Sequence, residues 1–228
     1  MQLEKSIAYQ QAVNHLEYHL LAPDLTEQQT ILGCELAKSL KIQAVCVKPC
    51  FVLQAVSSLR GTQTIPSTVI SYPFGVDVTS VKVSGLKRAL VEGALEINFV
   101  ANLADLLGGK DQSFSAEIDT ICGLAHMNGA KVNVILNCDY LSNEQIVKAT
   151  QYVIEAGADW ISPSPGFEET NSDGHYLPLI IETAERKIKL KTMGRVQNFQ
   201  VFEEFFGLGC ERIGTRYLQS IISVFNND

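Results

Sequence analysis

The sequence predicts an α/β chain folded as a closed (β/α)8 barrel of the TIM type, and three observations carry that expectation. Short runs rich in Val and Ile alternate with segments whose apolar residues recur at helical spacing, the pattern of parallel strands joined by helices. Glycines able to close helices stand just before strand-like runs at Gly93, Gly129, Gly157 and Gly209, and their separations of 36, 28 and 52 residues leave room in the last interval for one further unit. Eight such units fit within 228 residues, whereas the alternative, an open doubly wound sheet, lacks its Gly-rich phosphate fingerprint after the first strand.

The elements follow in order. Ile7 to His15 suggests a short helix ahead of a first strand, Leu16-Glu17-Tyr18-His19-Leu20-Leu21, which Pro23-Asp24 breaks. Thr26, with Gln28 and Gln29, starts a helix carrying Ile31, Leu32, Leu36 and Leu40, and Ala44-Val45-Cys46-Val47 is the second strand, closed by Lys48-Pro49. Phe51, Val52, Ala55, Val56 and Leu59 form the next helix, ending at Gly61. Ser67 to Tyr72 is the third strand and stops at Pro73-Phe74-Gly75. A helix from Val81 to Val91 leads into the fourth strand, Leu95 to Val100. Strands five to eight are Lys131 to Leu136, Trp160-Ile161, Ile188 to Met193 and Arg212 to Gly214. The sixth opens into the loop Ser162-Pro163-Ser164-Pro165-Gly166, and residues at the carboxyl end of a barrel strand line the active-site face, so Ser162 and Ser164 are expected to look into a pocket.

Composition narrows the function. Hydrophobic residues make up 46% of the chain, enough for a large core, and no linker or charge block divides it, so residues 1–228 read as a single barrel domain. A net charge of -7 with no basic patch argues against nucleic-acid and anionic-membrane partners. The amino terminus lacks the order of a signal peptide and no apolar run reaches the length of a membrane span, which points to a cytoplasmic protein whose six dispersed cysteines are reduced thiols. Metal ligation is not expected. His15 and His19 have i, i+4 spacing but His19 lies in a strand; His126 belongs to a helix face; His175 falls in a loop with the acidic Glu168, Glu169 and Asp173; Cys46 and Cys50 read as core. No cofactor is implied, and the partner is a small molecule.

Five segments together resemble the deoxyribose-phosphate aldolase family: Leu20-Leu21-Ala22-Pro23-Asp24-Leu25-Thr26, Ala44-Val45-Cys46-Val47-Lys48-Pro49-Cys50-Phe51-Val52, Val69-Ile70-Ser71-Tyr72-Pro73-Phe74-Gly75, Glu155-Ala156-Gly157-Ala158-Asp159-Trp160 and Glu211-Arg212-Ile213-Gly214-Thr215. The similarity runs from about Leu16 to Ile222 and implies a class I aldolase on a (β/α)8 barrel. Such an aldolase needs a lysine that forms a Schiff base, because the iminium is the electron sink for carbon-carbon cleavage. The family carries it at the end of strand six in a Val-Lys-Thr-Ser-Thr-Gly motif. Here the matching run is Ile161-Ser162-Pro163-Ser164-Pro165-Gly166, so the resemblance puts Ser162 at the lysine position. It likewise puts Asn98 at the strand-four aspartate, Asn133 where strand five often has lysine, and Lys48 where many members have asparagine. Lys191 matches the retained strand-seven lysine, which in the family lowers the pKa of the reactive one. The phosphate-holding Gly-Gly corresponds to Gly194-Arg195, and Gly-Thr-Ser-Ser to Gly214-Thr215-Arg216-Tyr217.

Loss of a covalent nucleophile alone costs on the order of 10⁴ to 10⁶ in rate. The expectation is therefore a barrel without Schiff-base aldol chemistry that acts in binding, regulation or assembly, its ligand an anionic or phosphorylated small molecule. Candidate contacts are Ser164, Asn133, Lys48, Gly194, Arg195, Gly214, Thr215 and Arg216, with Ser162, Asn98 and Lys191 at the inherited catalytic positions. The open alternative is an active lyase or isomerase on a different substrate, with Lys191 as base or relocated nucleophile and Arg195 or Arg216 as anion clamp. Pairing of outer helices into a homodimer is also open.

Overall fold

The computed structural model describes residues 7–167, 173–193 and 196–226. Eight parallel strands close on themselves in sequence order: β1 (Leu16–Leu20), β2 (Ala44–Val47), β3 (Ile65–Ile70), β4 (Glu96–Val100), β5 (Lys131–Ile135), β6 (Trp160–Ser162), β7 (Lys189–Thr192) and β8 (Cys210–Thr215). The register that closes the ring pairs Tyr18 of β1 with Val45 of β2 on one side and with Thr215 of β8 on the other. The strands are wrapped by α1 (Tyr9–His15), α2 (Glu27–Ser39), α3 (Val52–Ser58), α4 (Thr79–Glu92), α5 (Leu103–Leu107), α6 (Asp111–Met127), α7 (Asn143–Glu155), α8 (Asp173–Ala184), α9 (Phe199–Gly207) and α10 (Leu218–Ile222).

Local chemistry explains the boundaries. Thr26 caps α2 in a reciprocal box with Gln29, and Ser142 does the same for α7 with Gln145, so two orphan helix donors are satisfied at each end. The glycines expected to close helices do adopt left-handed backbone, with φ of 101° at Gly93, 75° at Gly129, 70° at Gly157 and 86° at Gly209. The third strand starts earlier than its apolar run suggests, at Ile65. It also ends earlier, because Ser71 turns to a φ of 58° and its hydroxyl bonds Asp77 at 2.9 Å. His175 lies within α8 rather than in a loop, and Cys50 sits exposed in the turn Pro49–Phe51 rather than in the core. Glu168 and Glu169 lie outside the described residues. All six cysteines are free thiols.

Between strands and helices lies the main apolar core, built from β-branched strand residues and helix faces such as Phe114, Ile118, Ile121 and Cys122 of α6. A second, separate apolar cluster lies inside the barrel: Cys46, Val69, Val100, Ile135 and Met193, with Leu21 and Tyr72 against it. No helix among the described residues is long and apolar enough to cross a membrane.

Candidate functional site

Beneath the inner apolar cluster the barrel interior is polar and charged. Side chains alternate along a strand, so residues two apart share a face. Glu17, His19 and Leu21 point inward from β1 and its continuation, as do Glu96, Asn98 and Val100 from β4. At the lower end, Lys191 Nζ sits 2.8 Å from Glu17 Oε2 and 3.6 Å from Glu96 Oε2, and Arg212 Nη2 donates to Glu96 Oε1 at 2.6 Å. Glu17 and Lys191 are wholly buried, and Glu96 and Arg212 almost so. Two carboxylates thus face two cations in a buried interior, and Lys191 and Arg212 also lie 5.4 and 5.7 Å from the Trp160 ring centre. Burial alone raises the Glu17 carboxyl, but Lys191, the hydrogen bond and charge of His19, and Arg212 outweigh it and hold Glu17 well below the usual carboxylate range. For Glu96 burial dominates over the same two cations, with Glu17 adding to it, and its carboxyl is raised.

A neutral chain crosses the same layer. Asn98 Nδ2 donates to Ser67 Oγ at 2.8 Å and lies 3.5 Å from Glu17 Oε1, while Asn98 Oδ1 accepts from Asn133 Nδ2 at 3.0 Å. Asn133 Oδ1 in turn is 3.0 Å from Ser162 Oγ, which also lies 2.8 Å from the Lys191 carbonyl. Asn98, Asn133, Ser162 and Lys191 are therefore brought together, as the sequence suggests, but bonded to one another and almost wholly buried. The amides and hydroxyl of this chain satisfy one another, whereas Glu96 Oε2, Arg212 Nε and Arg212 Nη1 of the charged layer have no hydrogen-bond partner among the described residues, and Lys191 Nζ meets its carboxylates as ion pairs without hydrogen-bond geometry. Burial also pushes the Cys46 thiol far up, with the Glu17 charge adding to it, which leaves no thiolate nucleophile in this layer.

The layer above is apolar for a simple reason of period two. Moving two residues toward the carboxyl ends takes Ser67 to Val69, Asn98 to Val100, Asn133 to Ile135 and Lys191 to Met193, which are four members of the inner cluster. A cavity of about 400 Å³ opens at the carboxyl mouth and is walled by Leu21, Tyr72, Phe167, Met193, His19 and Arg216 among others. Neither Ser162, Asn98, Asn133 nor Lys191 reaches it. Phe167 leans edge-on against both Tyr72 and Phe74, at 6.2 and 5.8 Å.

The other candidates fall in separate places. Lys48 donates to three carbonyls, Ala22 at 3.1 Å, Pro23 at 3.1 Å and Leu25 at 2.7 Å, and so ties down the loop between β1 and α2. Ser164 accepts from Gly166 N at 3.2 Å beside a small crevice formed with Pro73, Phe74 and Asn137. Thr215 donates to the Val196 carbonyl at 2.6 Å and accepts from Tyr217 N at 2.9 Å. Gly214 packs against the His19 ring; a Cβ there would collide with the imidazole and come within 2.7 Å of the Thr192 carbonyl. Arg216 is exposed at the mouth, its guanidinium 4.9 Å from the Tyr217 ring, and its charge is felt at the Tyr72 hydroxyl, where it opposes the larger upward push of burial. Gly194 and Arg195 lie outside the described residues.

Sequence reasoning missed Glu17, Glu96, Arg212 and His19 as interior groups. The signal was present as charged or ionisable residues at alternate positions of otherwise apolar strands, Glu17 with His19 and Glu96 with Asn98. Among the described residues no group of three His, Cys, Asp or Glu side chains is placed to hold a metal ion.

Comparison with known proteins adds a family context. A deoxyribose-phosphate aldolase from Treponema denticola is 32% identical over 200 residues, covering 88% of this chain and 93% of that protein. A solved aldolase designated QR15 superposes with a TM-score of 0.88 at 31% identity, over 94% of this chain and 96% of its own. A deoxyribose phosphate aldolase from Aeropyrum pernix, described as having a unique tetrameric structure, matches with a TM-score of 0.87 at 22% identity over 96% of this chain and 93% of its own, a likeness of fold. No family model matches the chain.

Proposed function

Because this chain belongs to the deoxyribose-phosphate aldolase family, we propose that it is a member that no longer performs Schiff-base aldol chemistry and instead binds a small anionic molecule at the barrel mouth. The observation that carries this reading is the absence of a usable amine. The position that the family resemblance equates with the reactive lysine is Ser162, whose hydroxyl cannot form an imine and is wholly buried. The retained lysine, Lys191, is equally buried and held by Glu17 at 2.8 Å. A lysine nucleophile must meet its carbonyl in the cavity, and the cavity is walled by Met193, one inward position above Lys191, and not by Lys191 itself.

The binding role rests on the cavity itself. Its volume lies in the range of small-molecule pockets, and it combines apolar walls with the cationic Arg216. A lyase or isomerase using Lys191 finds no support in this arrangement. We further propose that the chain acts as a single-domain cytoplasmic protein that self-associates. Its free, mostly buried thiols support the location, and the tetrameric description of the Aeropyrum pernix relative supports the association.

The test is direct. The protein is incubated with deoxyribose 5-phosphate and borohydride and weighed intact by mass spectrometry. The expected result is an unmodified mass, and a stoichiometric reduced adduct would overturn the reading.

A further inference from the structure

The loops that follow β3 and β6 meet over the barrel, although β4 and β5 lie between those strands. Tyr72, two residues beyond the end of β3, donates its hydroxyl hydrogen to the Pro165 carbonyl at 3.1 Å. Phe167 stands edge-on to both Tyr72 and Phe74, so one hydrogen bond and two ring contacts fasten the loops together. Pro73 and Phe74 share a small crevice with Ser164, Pro165 and Gly166, which makes the contact continuous along both loops. At its root the β6 loop is tied to the end of β5, where the Ser162 and Pro163 carbonyls accept from Leu136 N and Cys138 N at 2.9 Å. Its tip carries Gly166 in left-handed backbone, with a φ of 67°, a conformation that lets the chain turn back between Pro165 and Phe167. Tyr72 also covers what lies below. With Leu21 it packs against the inner cluster of Cys46, Val69, Val100, Ile135 and Met193, and it walls the mouth cavity. Of those five residues Met193 alone lines the cavity, and Cys46 is wholly buried. Burial raises the Tyr72 phenol, with the Cys46 thiol adding to it, so the hydroxyl keeps its proton and remains a donor at neutral pH.

We propose that Tyr72, Pro165 and Phe167 form a strap that closes the barrel over strands three to six and shuts the inner cluster off from the mouth cavity. The strap opens as a local unit while the barrel stays folded: the Tyr72 hydrogen bond breaks, the Phe167 ring leaves Tyr72 and Phe74, and the loop swings about Gly166. In the open state the cavity extends down to Cys46. The inference goes beyond the binding role proposed above and does not depend on it.

Cys46 reports the opening, because it lies in the cluster under Tyr72, whereas Cys34 and Cys122 are buried in the outer core between strands and helices. The full-length protein is treated with methyl methanethiosulfonate under native conditions, and the labelling rate of each cysteine is followed by peptide mass spectrometry. In the wild type Cys46 should label faster than Cys34 and Cys122, since local opening is more frequent than global unfolding. Tyr72→Phe keeps the ring and removes the hydroxyl, and it should raise the Cys46 rate by about three- to tenfold, the effect of one hydrogen bond, without changing Cys34 or Cys122. Phe167→Ala removes both ring contacts at an exposed position, where the core is not disturbed, and should raise the Cys46 rate by at least about threefold. A wild-type Cys46 that labels no faster than Cys34 and Cys122 would overturn the proposal. So would a Cys46 rate left unchanged by either substitution, or one that rises in step with the other two thiols, since Cys46 would then be reached by unfolding of the barrel and not by release of the strap. The borohydride experiment is independent of these rates, so the loss of imine chemistry is judged separately.

Discussion

Restoring the aldolase residues at two positions offers a stringent test of how the interior is balanced. Glu17, Glu96, Lys191 and Arg212 sum to zero charge in a layer where none is appreciably exposed. Ser162→Lys alone adds a third cation at a wholly buried position, and Asn98→Asp alone adds a third carboxylate 3.5 Å from where Glu17 already stands. An uncompensated buried charge costs about 3–5 kcal/mol, so each single variant should lose that much stability. The double variant restores neutrality. Ser162 and Asn98 are bridged by Asn133 through contacts of 3.0 Å on either side, a span the long lysine stem can cover to reach an aspartate at 98. The double variant should therefore lose about as much as one single variant, which leaves a coupling of about 3 kcal/mol in the double-mutant cycle. Urea unfolding of the four proteins at pH 7 measures it. Additivity within about 0.5 kcal/mol would show that the two sites do not share an electrostatic environment and would refute the reasoning.

Three further outcomes follow from the same geometry. Glu17→Gln leaves Lys191 without its nearest anion and should cost about 3–5 kcal/mol at neutral pH. Because the folded-state pKa of Glu17 is lowered, its contribution is complete above the unfolded carboxylate value of about 4.3 and fades as pH falls through the folded value, so the gap between wild type and variant should narrow in acid; a gap that widens there contradicts the assignment. Lys48→Met removes three partly exposed hydrogen bonds to the β1–α2 loop and should lower stability by about 1–2 kcal/mol in urea unfolding; unchanged stability with lost ligand binding would instead make Lys48 a ligand contact. Gly214→Ala forces a methyl group into the His19 ring and should cost about 1–3 kcal/mol in thermal unfolding; a variant as stable as the wild type would show that the ring is not held there.

The barrel was legible because its strands are buried on both faces and read as short apolar runs, and because left-handed glycines such as Gly93 and Gly157 punctuate the helices that precede them. The site was legible only in part. Lys191, Ser162, Asn98 and Asn133 do meet, as their strand positions imply, but depth along a barrel axis cannot be read from one strand. It emerges only when the registers of all eight are closed, and then Lys191, Asn98 and Asn133 each prove to lie one inward position below an apolar neighbour. Lys48 illustrates a second limit. A lysine at a strand mouth resembles a ligand contact in sequence, whereas three main-chain carbonyls from a loop more than twenty residues away converge on it in space. His19 was obscured by Tyr18 and Leu20 beside it, which make the segment look like an ordinary half-buried strand.

Charge balance also explains how the interior can keep Lys191. A lysine at a wholly buried position persists only where carboxylates offset its desolvation, and Glu17 and Glu96 do so from opposite sides of the barrel. Removing Lys191 would leave Glu17 a buried carboxylate without its nearest cation. Lys191 and Glu17 thus hold each other in the interior, and neither can be changed alone without leaving an uncompensated buried charge.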